Sequence, residues 1–149
     1  MWTGAILAGG RSRRLGGRNK AALQLGGASV LDRQLARLRR IVDRTIIIAN
    51  DAEAFRATGV PVIPDLEPGN GALGALHTAV HAAQSDRTLV LACDMPFVSP
   101  ALLRRLLRDF GTARNDLFVR ESGRSGFPCI LRRTALPVVA DEGMWLFNQ

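Results

Sequence analysis

Four apolar runs of strand length, each followed by a loop or a helix-spaced segment, constrain this chain more than any other feature. They are residues 2–8 (WTGAILA), 45–50 (TIIIAN), 60–64 (VPVIP) and 87–93 (RTLVLAC). Runs this short and this continuously apolar are strands covered on both faces, the pattern of a parallel sheet with helices above and below it. Between them, Val30, Leu31, Leu35, Leu38, Ile41 and Val42 recur at helical spacing, with Ser29 as N-cap and Asp32 three residues on. A short helix is expected over residues 51–57 and a buried, Ala-rich one over residues 72–83. A third starts at Ser99-Pro100, with Ser at the cap and Pro at the first helical position, and ends near Gly111. Residues 116–120 and 127–133 are two further strand candidates, and residues 134–143 a final helix. Strand and helix in alternation predict an α/β fold with a doubly wound, mostly parallel sheet. The length of 149 residues suits a single domain, 1–149, with one core.

Composition narrows the class. Apolar residues make up 47% of the chain, too many for a disordered segment, and no apolar run reaches the ~20 residues of a membrane span. No signal-like leader precedes the first strand, so a cytoplasmic protein is expected. Cys93 and Cys129 form no C-x-x-C pair and are read as buried thiols. His77 and His81 lie four apart on a helix, but no Glu follows His77 and the H-E-x-x-H metal motif is absent. Ser12 has no adjacent His or Asp and is not a nucleophile. Trp2 and Trp145 are read as packing residues.

The net charge of +7 calls for an anionic partner, either nucleic acid or a phosphorylated small molecule. Arginines 33, 37, 39, 40 and 44, and 104, 105 and 108, follow helical patterns and are expected on solvated faces. Arg11, Arg13, Arg14, Arg18 and Lys20 are different, because they share a loop with Gly9, Gly10, Gly16 and Gly17. Glycines let a backbone approach a ligand and turn its N–H groups towards an anion, while Arg and Lys add fixed positive charge. Neither the Walker A pattern nor G-x-G-x-x-G is present. The aromatic residues that would stack bases are missing among these cations, which argues against nucleic acid. In a doubly wound sheet, ligands bind beyond the carboxyl ends of the strands. The expectation is a Rossmann-like nucleotide-binding fold with its site built from Gly9 to Lys20, Asn50, Asp65 and Asp94. From the residues alone, Asn50 could cap the helix after it, and Asp65 and Asp94 could be turn residues.

Residues 7–23, LAGGRSRRLGGRNKAAL, resemble the signature loop of the molybdenum cofactor guanylyltransferases, the MobA-like nucleotidyltransferases. Three further segments resemble that family in order and spacing: IIIAN ending at Asn50, VIPDLEPGNGALGAL around Asp65, and LVLACDMPFVSPALL around Asp94. The similarity runs from Ala5 to about Leu136, and the combination with C-D-M-P-F-V is far more specific than the loop. The resemblance implies that the backbone of Leu7, Ala8 and Gly9 contacts the guanine nucleotide, that Arg14 and Lys20 bind phosphates, that Asn50 and Asp65 hold base and ribose, and that Asp94 binds Mg²⁺. It implies transfer of GMP from GTP to the phosphate of the molybdenum-molybdopterin cofactor, with pyrophosphate released. Molybdoenzymes or their chaperones are the implied partners. Family members with A-A-G in the loop use CTP, so Gly9-Gly10 favours GTP. Two departures stand out: Gly71-Ala72-Leu73 where the family has Gly-Pro-Leu, and no Asn-x-Asn-[TS]-P segment. The C-terminal part is short relative to the family, which puts the acceptor half of the site in question. The alternatives are a related transferase using CTP or a sugar phosphate, and a nucleotide-binding protein without acceptor activity.

Overall fold

The computed structural model describes residues 1–9, 24–112, 117–121 and 124–135. Their centre is a six-stranded sheet in the order β5-β4-β1-β6-β8-β7. Four strands are parallel: β1 (Thr3–Leu7), β4 (Arg44–Ile48), β5 (Val62–Ile63) and β6 (Arg87–Ala92). The hairpin of β7 (Leu117–Glu121) and β8 (Arg124–Arg132) completes one side, with β8 antiparallel to β6. The chain steps outward from β1 to β4 and β5, then returns across β1 to β6. This reversal makes the carboxyl ends of β1 and β6 the switch point of the sheet, where such folds open a crevice for ligands.

Alternation along the strands sorts the core into two layers. Ile6, Ile47, Leu89, Leu91 and Ile130 face one side, where they meet Leu31, Leu35 and Leu38 of α1 (Val30–Leu38) and Leu103 and Phe110 of α3 (Pro100–Thr112). Ala5, Leu7, Ile46, Ile48, Val90 and Leu131 face the other, against Ala75, Leu76, Ala79 and Val80 of α2 (Gly71–Ala82). Burial of both faces explains why the strands read as unbroken apolar runs. Gly4 lets α1 lie close, since a Cβ there would sit 3.1 Å from Val42 and 3.2 Å from Leu38.

The expected caps form. The Ser29 side chain accepts from the Asp32 N–H, and the Asp32 carboxylate accepts in return from the Ser29 N–H, a capping box. Ser99 accepts from the Leu102 N–H at the start of α3. Several boundaries differ from the sequence reading, among them that of β8, which begins at Arg124 rather than at residue 127. The apolar period runs on to Val42, but α1 ends at Leu38. Beyond it Arg40 and Ile41 bond three residues back rather than four, so Ile41 and Val42 still pack on the core from a tight turn. The short helix before β5 is a 3-10 helix, Glu53–Thr58, closed by Gly59 at φ 64°. Residues 24–29, expected as loop and cap, form a hairpin of β2 (Gln24–Leu25) and β3 (Ala28–Ser29). Gly26 and Gly27, both at positive φ, make the primed turn that suits a two-residue connection.

Candidate nucleotide site at the carboxyl edge

The register of the parallel strands brings the candidate residues to one level. Leu7 pairs with Ile48 and with Ala92, and Ile48 pairs with Ile63. Two residues beyond these four aligned positions stand Gly9, Asn50, Asp94 and Asp65. Ladder bonds continue one residue past the strands, from Ala8 N–H to Ile48 O (2.9 Å), Ala49 N–H to Ile63 O (3.0 Å) and Cys93 N–H to Leu7 O (3.1 Å). The backbone at this edge is therefore held in register where the candidates begin. With strands ~4.8 Å apart, the four strand ends Ile63, Ile48, Leu7 and Ala92 extend about 14 Å across the sheet. Gly9 is exposed, and a Cβ there would meet only ordinary contacts, 3.8 Å from Ile48 O and 3.9 Å from Ala49 Cα. Nothing in the described protein demands glycine at that position.

Asn50 does not cap the helix after it. The N-cap position of that helix is Ala52, without a side-chain cap, and the Asp51 Oδ1 before it accepts from the Ala54 N–H (3.2 Å). The Asn50 Oδ1 instead accepts from the Asp65 N–H (2.8 Å), which ties the ends of β4 and β5 together. The Asp65 Oδ1 accepts from the Glu67 N–H (3.0 Å) and lies 3.0 Å from the Thr78 hydroxyl on α2. That hydroxyl accepts from Leu66 N–H (2.9 Å) and is also 2.9 Å from Gly74 O, so its single proton serves one of two acceptors. Asp65 thus organises the loop between β5 and α2. Gly74 makes the close approach possible, because a Cβ there would fall 2.7 Å from Glu67 O and 3.3 Å from Asp65 Oδ1. Gly71, at φ 58° with open space around it, is instead required by its backbone conformation. The N-terminus of α2 opens on this edge with no side-chain cap, the Asn70 side chain donating instead to Glu67 (2.9 Å).

Asp94 is exposed in the turn after β6. Two α1 side chains hold that turn, and sequence reading missed both. Gln34 Nε2 donates to Ala92 O (2.8 Å) and Met95 O (3.1 Å), and Arg37 Nη1 donates to Pro96 O (2.7 Å). The signal for Gln34 was present: a polar residue on the inward stripe of α1, between Leu31 and Leu35. Arg14 and Lys20 lie outside the described residues.

Residues 4–142 match the sequence model of the MobA-like NTP transferase domain. The chain belongs to that family. A probable molybdenum cofactor guanylyltransferase of Pelotomaculum thermopropionicum is 41% identical over 105 residues, which are 70% of this chain and 51% of that one. The chain spans about half the length of the first curated relatives it matches. Among solved structures, a Mycobacterium tuberculosis protein is 30% identical with a TM-score of 0.76, covering 97% of this chain and 79% of its own. That protein has also been solved in complex with manganese. The molybdopterin-guanine dinucleotide biosynthesis protein A of Archaeoglobus fulgidus shares the fold, with a TM-score of 0.77 at 22% identity, covering 99% of this chain and 75% of that one.

His77 and His81 have ring centroids 6.2 Å apart, and His77 Nδ1 lies 3.4 Å from Glu67 Oε1, a proximity without hydrogen-bond geometry. Among the described residues, no group of three or more His, Cys, Asp or Glu could enclose a metal. Cys129 is buried and Cys93 partly so. No helix among the described residues is long and apolar enough to cross a membrane.

Proposed function

We propose that this chain is a molybdenum cofactor guanylyltransferase, a cytoplasmic enzyme working from a single domain. It takes GTP, transfers GMP to the phosphate of the molybdenum-molybdopterin cofactor and releases pyrophosphate. The observation that carries this reading is that register-aligned strand ends lead directly into Asp65, Asn50, Gly9 and Asp94 at the carboxyl edge of a MobA-like sheet. The curated relatives named molybdenum cofactor guanylyltransferase support this reading, and the resemblance of Gly9-Gly10 to the guanylyltransferase loop favours GTP over CTP.

An acceptor phosphate oxygen attacks the α-phosphorus of GTP, and the bond from that phosphorus to the bridging oxygen of pyrophosphate breaks. The acceptor is already ionised near neutral pH, so the step needs position and charge neutralisation rather than a strong base. The backbone of Leu7, Ala8 and Gly9 lies along the nucleotide, and glycine at position 9 leaves room for a ligand rather than for the protein's own packing. Asn50, pinned through its Oδ1, turns its amide N–H₂ towards base or ribose beside Asp65. Arg14 and Lys20 neutralise the phosphates, and the open N-terminus of α2 favours negative charge at the same edge.

Mg²⁺ takes one or two carboxylates and completes its shell with phosphate oxygens and water, so one exposed carboxylate at Asp94 suits it without an enclosing cluster. The manganese complex of the Mycobacterium tuberculosis relative supports a divalent ion. When bound, the ion supplies charge stabilisation to the departing pyrophosphate. Incubation with GTP labelled at the α-phosphate, Mg²⁺ and molybdenum-molybdopterin should yield labelled dinucleotide and equimolar pyrophosphate. GTP binding without pyrophosphate release would leave a nucleotide-binding protein and remove the transferase.

A further inference from the structure

We infer that Gln34 and Arg37 of α1 are positioning residues that set the aim of Asp94 towards the nucleotide's metal; the inference rests on the role proposed for Asp94. Gln34 is fully buried, and its Nε2 bonds the carbonyls of Ala92 and Met95, which straddle Asp94 two residues before and one after. Arg37, the next residue on the same face, bonds the carbonyl of Pro96. Within the turn itself the Met95 N–H bonds Ala92 O at 3.3 Å. Three bonds from one helix therefore brace the backbone on both sides of Asp94.

Packing does not account for this glutamine. Its neighbours Leu31, Leu35 and Leu38 are core residues, and an aliphatic side chain would fill the same stripe. The Gln34 Oε1 is buried without a partner among the described residues, a desolvation cost that an aliphatic residue would not carry. A polar group kept at that cost earns its place through the two carbonyls it holds. Loss of the brace leaves Asp94 present and mis-aimed, the condition in which partners of a ligand matter nearly as much as the ligand.

The test compares wild type with Gln34→Met, which keeps side-chain volume, Arg37→Met, and Arg37→Lys, which keeps one donor. Calorimetry at fixed GTP reads the apparent Mg²⁺ affinity, GTP binding in EDTA reads the metal-independent part, and hydrogen exchange follows the amides of residues 93–97. The Mg²⁺ affinity should fall about tenfold in Gln34→Met and less in Arg37→Met, with recovery in Arg37→Lys. Binding in EDTA should be unchanged, and exchange at residues 93–97 should quicken. Wild-type Mg²⁺ affinity in Gln34→Met, or equal losses with and without metal, would overturn the inference. A wild-type protein that binds no Mg²⁺-nucleotide fails the functional reading first, and the brace loses its metal role with it. That failure is recognised by its presence before any substitution is made.

Discussion

The two ends of the parallel strands are built for opposite purposes. At the amino end, polar and charged groups are engaged by the protein's own rings and hydrogen-bond partners. Arg87 and Arg132 are direct cross-strand neighbours, a repulsive pairing. Each lies over an aromatic ring, Arg87 over Trp2 at 5.4 Å and Arg132 over Phe110 at 4.2 Å, and the two rings meet edge to face at 5.5 Å. Ser85 Oγ lies 2.7 Å from the Thr3 hydroxyl and 2.9 Å from Arg87 O, the Trp2 N–H donates to Asp43 (2.6 Å), and Arg133 donates to Ala83 O (3.0 Å). At the carboxyl end, Gly9, Asn50 and Asp94 are exposed and the start of α2 is uncapped. Arginines at the amino end serve the fold, so the anionic partner suggested by a net charge of +7 is to be sought at the carboxyl end.

The contrast breaks most sharply at Lys20, the sole lysine of the chain. Lys20→Met should lower kcat/KM by on the order of a thousandfold with no change in Tm, as for loss of one charge-stabilising donor. Acylation by an amine-reactive reagent, mapped by mass spectrometry, should be blocked at Lys20 by Mg²⁺-GTP; unprotected labelling would place the phosphates elsewhere. Trp2→Ala should do the reverse, destabilising by about 3 kcal/mol while nucleotide affinity in the folded fraction stays at wild type. A denaturant melt combined with titration separates the two, and weaker nucleotide binding there would erase the distinction between the ends. Gly74→Ala lies between them. Its methyl must displace the Glu67 carbonyl, so it should cost about 2 kcal/mol of stability and weaken GTP together, and a change in only one would uncouple the loop from the site. Asn50→Ala should have the smallest effect, about 1 kcal/mol in GTP affinity, read by titration. A wild-type affinity in that variant would confine Asn50 to tying β4 to β5.

Most of this fold is legible in the chain because burial on both sheet faces leaves no choice of side chain within the strands. The capping box at Ser29 and the Ser99-Pro100 start are legible for the same local reason. What the sequence conceals comes from contacts distant along the chain. The end of α1 depends on how Ile41 and Val42 reach the core, and the part played by Asn50 depends on a residue fifteen positions on. The row of candidates follows from strand ends, but its common level is a property of register, which no single run encodes. Gln34 was hidden differently: its identity was visible, while its partners lay across the sheet in the Asp94 turn.

The central claim is that this edge holds a guanine nucleotide through a metal at Asp94. Calorimetric titration of GTP, CTP and ATP with Mg²⁺, on wild type and on Asp94→Ala, tests it most directly. The account predicts GTP-selective binding whose Mg²⁺ dependence disappears in the variant. Failure of every triphosphate to bind, or Mg²⁺-dependent GTP binding that survives in Asp94→Ala, would contradict it.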